Sequence, residues 1–199
     1  MAETSATIRG RAGWRRMLVA VAVTALLAGY ASACGLEGDD VTLQRVVLNV
    51  VYPDALHVLG AVSSARLSGR LDRTLGIDSA LTAEELRMMM LRISAGLSKL
   101  RTRLAHGAPA KLPPLSIVLL EPMLWSRVAI EDGTLKLTVH IDGPAPGDVV
   151  AVTEEPVIAA INSGTLSARD ALSLGLLRLY GSPSEIASVR SRLQARDPK

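Results

Sequence analysis

Few side chains in this sequence suit covalent, metal or acid–base chemistry, and they are scattered. His57, His106 and His140 lie far apart and beside no cysteine, so the ligand spacing of a zinc or copper site is missing. His57 reads as a packing residue or polar tip near a helix start, and His140 falls on the wet side of a strand. Glu84-Glu85 and Glu154-Glu155 stand at expected helix starts, where negative charge meets the positive end of the helix dipole. Glu121 and Arg127 are placed to pair across a turn. Three consecutive methionines, Met88 to Met90, are either flexible core filler or an adaptable wall for an apolar ligand or partner. No G-x-S-x-G elbow, S-x-x-K, phosphate loop or H-E-x-x-H occurs. The expectation is a non-enzymatic protein with no catalytic residues, no cofactor and no metal. Cys34 is the only cysteine, which excludes a disulfide within one chain.

What precedes Cys34 gives it a role. Arg9, Arg11, Arg15 and Arg16 form a basic front, an apolar run follows from Met17 to Ala31, and Ser32 and Ala33 are small. Residues 1–33 therefore read as a bacterial-type export signal peptide. The run is shorter than the roughly 20 residues of a spanning helix, so a retained anchor is the weaker reading. Cys34 stands where a lipoprotein signal places its acylated residue, although a leucine is usual where Ala31 stands. Ala31-Ser32-Ala33 also reads as an ordinary A-x-A cleavage site. Arg15-Arg16 resembles a twin-arginine motif, but a polar residue is expected at Trp14, and general secretion fits better. The expected location is periplasmic or extracytoplasmic, with membrane attachment through Cys34.

Removing the leader changes the charge. The chain carries 22 basic and 19 acidic residues; the leader holds four of the first and one of the second, leaving 18 of each. A balanced chain with no phenylalanine offers neither the basic face nor the stacking residues of a nucleic-acid surface. The core must be aliphatic, and its length suits one domain.

Residues 34–40 read as a tether and 41–199 as a single domain with a helical part, 41–107, and a β-rich part, 115–195. Leu43, Val46, Val47 and Val50 have helical spacing, though their valines also suit a strand. Pro53-Asp54 opens a second helix. Thr82 with Glu85 forms a capping box for a long helix ending near His106. A Pro-rich link precedes strands expected at 115–120, 124–130 and 135–141. Asp132-Gly133 is the hairpin signal between the last two, and Leu135, Leu137, Val139 and Ile141 should share one face. A fourth strand, 149–152, precedes a short helix at 155–161. Ser182-Pro183 with Glu185 starts the last helix.

Between these lies Gly164 to Gly181, GTLSARDALSLGLLRLYG. Gly164 and Leu166 close one helix, Ser167 caps the next, and Gly175 ends it with a positive φ and close backbone approach that leave little room for a Cβ. Leu177 and Leu179 then share one strand face, opposite Arg178 and Tyr180. The spacing through Ala171, Gly175 and Gly181 resembles the end of the sterol carrier protein-like lipid-binding fold, over about 80 residues. The elements together give an α+β fold, a helical N-terminal half packed on a mostly antiparallel sheet of about five strands with C-terminal helices, and the resemblance covers its β-rich half. The resemblance implies an apolar pocket lined by Leu177, Leu179, Leu137, Val139, Met89 and Met90, taking a lipid or sterol-like small molecule. The N-terminal half has more helix than that family places before its sheet. The second reading is an accessory or assembly subunit that presents the Tyr52–Arg66 region and the methionine helix to another extracytoplasmic protein.

Overall fold

Local signals set most element boundaries. The Thr82 hydroxyl accepts from the Glu85 N–H at 3.3 Å and the Glu85 carboxylate accepts from the Thr82 N–H at 2.8 Å, closing the capping box. The computed structural model describes residues 39–75, 82–105 and 112–195, all within the unit Ala33–Lys199. Cys34, His106 and Gly107 lie outside the described residues.

The helices before the sheet are α1 (Asp39–Val51), α2 (His57–Leu67) and α3 (Ala83–Leu104). Strands β1 (Leu115–Leu119), β2 (Leu124–Glu131), β3 (Thr134–Ile141) and β4 (Val149–Thr153) follow. Then come α4 (Glu155–Ser163), α5 (Ala168–Ser173), β5 (Arg178–Tyr180) and α6 (Pro183–Gln194). The sheet order is β3-β2-β1-β4-β5, and only the β1–β4 pair is parallel. The class is α+β. The valine-rich stretch at 41–51 is helical rather than extended.

β1 and β4 are buried along their whole length, as continuous apolar runs at the sheet centre require. Register assigns the two faces. Leu115, Ile117 and Leu119 align with Val149, Ala151 and Thr153 on one side and with Val128, Ser126 and Leu124 on the other. This face packs on α3, α4 and α6 through Leu97, Leu100, Ile158, Ile161 and Leu193. The opposite face carries Val118, Trp125, Arg127, Val152, Arg178 and Tyr180, and the α1–α2 turn closes it. There Tyr52 tilts against Tyr180 at 5.2 Å and Trp125 at 6.5 Å, and the Tyr180 hydroxyl donates to the Pro53 carbonyl at 2.7 Å.

Three local expectations need correction. Ile141 does not share a face with Val139: a bulge places Ile141 opposite Trp125 and Val139 opposite Ser126, leaving His140 as the extra residue at φ 61°. Glu121 and Arg127 do not pair with each other. Arg66 takes Glu121, and Arg127 takes Asp148, because β4 rather than the turn lies beside β1. Gly175 has the expected positive φ, 70°, but a Cβ there would meet nothing within 4 Å. The crowded glycine is Gly181, where a Cβ would lie 3.3 Å from Val149 Cγ2.

Candidate ligand-binding cleft

A cleft of about 290 Å³ opens between α3 and α4. Both helices turn small residues towards it at helical spacing. On α3 these are Ala95 and Gly96, between Arg92 and Lys99; on α4 they are Ala159 and Ser163, with Glu155, Ile158 and Asn162 on the same face. The helices touch at Gly96: a Cβ there would make an ordinary 3.9 Å contact with Ile158, and Asn162 Nδ2 donates to the Gly96 carbonyl at 2.9 Å. Beyond that contact the short side chains leave space. Ile93, Leu97, Leu119 and Ile158 form an apolar floor, all at most 4% exposed.

The rim is polar. Arg92 grips Glu155 with both Nε and Nη2, the second at 3.0 Å to Oε2. That hydrogen bond holds the Arg92 guanidinium above its usual range against the opposing effect of burial. At the other end, Lys99 and Asn162 also border a second recess of about 260 Å³ with Thr102 and Arg103. Arg103 is tied down there by the carbonyls of Leu193 and Ile161 at 2.9 and 3.2 Å. The whole is an apolar slot between two polar ends, the shape of site that takes an amphiphile or apolar molecule.

The residues expected from the sequence to form a pocket are distributed differently. Met89 is buried at 3% exposure and Met90 is half-buried, both packed with the core. Leu137, Val139 and Leu179 are half-buried against the same core. Leu177 is buried and borders an apolar void of about 20 Å³ with Leu100, Leu115 and Leu193. That volume is close to one water-sized probe, and its lining offers a water no partner. None of the six borders the larger cleft. Sequence reasoning missed Gly96 and Ala159; their signal is a small residue within an otherwise leucine- and isoleucine-rich helix face.

A second polar group lies at the carboxyl ends of the parallel strands. Arg45 donates to the carbonyls of Leu120 and Glu121 at 2.9 and 2.6 Å, and Arg66 binds both carboxylate oxygens of Glu121. Glu154, fully buried, accepts from the Glu121 N–H at 2.9 Å, while its Oε2 has no partner among the described residues. Burial, with Glu121 nearby, pushes the Glu154 carboxyl well above the usual range despite Arg66 and Arg45. Glu154 thus stands at the α4 start as expected, but inside the core. His57 and His140 are both exposed. No group of three metal-ligating side chains is present among the described residues, and no described helix is long and apolar enough to cross a membrane.

The sequence matches no family profile and no curated protein. Among solved structures, sterol carrier protein 2 like 2 from Aedes aegypti is similar over 52% of this chain and 97% of its own, at 18% identity and a TM-score of 0.40. A palmitated form from the same species gives 52% and 96%, 19% identity and 0.38. The sec-alkylsulfatase Pisa1 from Pseudomonas sp. is similar over 44% of this chain but 14% of its own, at 20% identity and 0.34.

Proposed function

We propose that this chain is an exported, lipid-anchored, non-enzymatic protein that holds an apolar or amphiphilic small molecule in the α3–α4 cleft. The observation that carries the reading is the open apolar slot, about 290 Å³ floored by Ile93, Leu97, Leu119 and Ile158. The leader, from Arg9 to Ala33, and the position of Cys34 support export and attachment to the periplasmic side of a membrane. Arg92 is already engaged by Glu155, which makes the apolar floor the main source of affinity. Polar groups at the ends then orient the ligand.

Lipid extraction and mass spectrometry of the full chain should recover a stoichiometric apolar ligand. Ala159→Trp, which fills the slot from α4, should weaken retention of a fluorescent fatty-acid probe by about tenfold, the equivalent of roughly 1.4 kcal/mol. Its unfolding temperature should not fall. A probe that binds the variant as well as the wild type would place the ligand elsewhere or nowhere.

A further inference from the structure

We propose that α1 is a second membrane contact, with Leu43, Val46, Val47 and Val50 lying on the bilayer surface to which the chain is tethered. The four residues recur at helical spacing and form one stripe, yet they are 61%, 51%, 54% and 78% exposed. The stripe is held outward from behind. Leu48 is 5% exposed, Arg45 is tied to the carbonyls of Leu120 and Glu121, and Asn49 accepts from the Leu56 N–H at 3.0 Å. Val51, 60% exposed, extends the stripe at the far end.

The bilayer is the occupant that the preceding chain favours. α1 begins at Asp39, five residues beyond Cys34, and five extended residues reach about 17 Å. With an acylated Cys34, α1 starts within that distance of the hydrocarbon boundary; with the apolar run Met17–Ala31 as the anchor, eight residues precede α1 and reach about 27 Å. Four aliphatic residues on one helix are far fewer than the roughly 20–30 per side of a stable protein interface, which disfavours a second copy. The stripe has no charge, and Asp39 and Asp40 precede it, so the attraction is apolar and needs no anionic lipid. The inference rests on the anchoring part of the proposed function.

The test is photo-crosslinking of the full chain, with a benzophenone side chain at position 47, 50 or, as control, the exposed position 190. Samples are membrane-attached chain in vesicles of phosphatidylcholine, with and without phosphatidylglycerol. Phospholipid adducts at 47 and 50 in both compositions, and none at 190, are expected. Val46→Glu with Val50→Glu should abolish the adduct at 47 without lowering the unfolding temperature. A chain–chain adduct, an adduct to another protein, or none from membrane-bound chain would overturn the contact while leaving the anchor intact. A wild-type chain found wholly in the soluble fraction would sink the anchor and this inference together.

Discussion

Two carboxylates in this fold respond to pH in opposite senses. Burial raises Glu154, and Oε2 has no partner, so its neutral form is the one the fold favours. Its folded pKa lies above its unfolded one. The resulting stabilisation is therefore complete below the ordinary carboxylate range and is lost as pH climbs through that range towards the raised value. Glu154→Gln keeps the shape and the acceptor for the Glu121 N–H. It should raise the unfolding temperature at neutral pH by a few degrees, about what 1 kcal/mol gives a domain of this size. The difference should vanish near pH 4, the unperturbed carboxyl range. Asp148 behaves the other way. Burial pushes it up, but hydrogen bonds from Arg127 and Ser116 with the Arg127 charge outweigh this and hold it low. Its contribution is present above the unfolded pKa and lost as pH falls through the folded one. Asp148→Asn should cost about 1–2 kcal/mol at neutral pH, because Arg127 loses its counter-charge while staying partly open to water. In urea titrations that cost should shrink in acid. Neither residue's environment was legible in sequence: Ser116, Arg127 and Asp148 meet only once β1 and β2 pair and β4 crosses back to lie parallel to β1.

Elements whose ends are decided within a few residues were legible. The Thr82 and Ser182 caps, the Asp132-Gly133 turn with φ values of 49° and 74°, and the left-handed Gly164 all follow from local chemistry. What depends on packing was not. Helical spacing in α1 marks an apolar stripe but does not say whether a core or something outside covers it. The bulge at His140 likewise has no local signature. Gly175 and Gly181 show how the two kinds of constraint separate. Gly175 needs φ 70° in open space, whereas Gly181 combines φ 151° with contact at 3.3 Å to Val149. Asparagine accepts the left-handed conformation. Gly175→Asn should therefore stay within about 0.5 kcal/mol of wild type, while Gly181→Asn should lose roughly 1–3 kcal/mol through strain and overpacking. Thermal unfolding of both variants checks this. Equal losses would mean that backbone conformation alone matters at the two sites.

For the whole molecule, the open apolar cleft lies between α3 and α4, and of the strands only β1 reaches it, through Leu119. Residue patterns were enough for the order of elements from β1 to α6 but not for this location. A tunnel wall and a packed core use the same leucines; Leu177 beside a 20 Å³ void is core. Gly96 and Ala159, which line the slot, carry no pattern that distinguishes them from ordinary helix-packing residues. The proposed membrane attachment has two routes, and Cys34 decides between them. An acylated cysteine makes attachment depend on one sulfur atom. A retained apolar run, Met17 to Ala31, makes it depend on none. Cys34→Ala tests this in the full chain expressed in a bacterial host. With acylation, the variant should remain exported but shift from the membrane to the soluble periplasmic fraction, keeping only the reversible contact through α1. The wild type should also carry a mass increase on its N-terminal peptide at Cys34. Membrane attachment unchanged by Cys34→Ala would rule out the lipid anchor. Attachment then depends on the apolar run, and shortening that run by several residues should release the chain where the cysteine replacement did not.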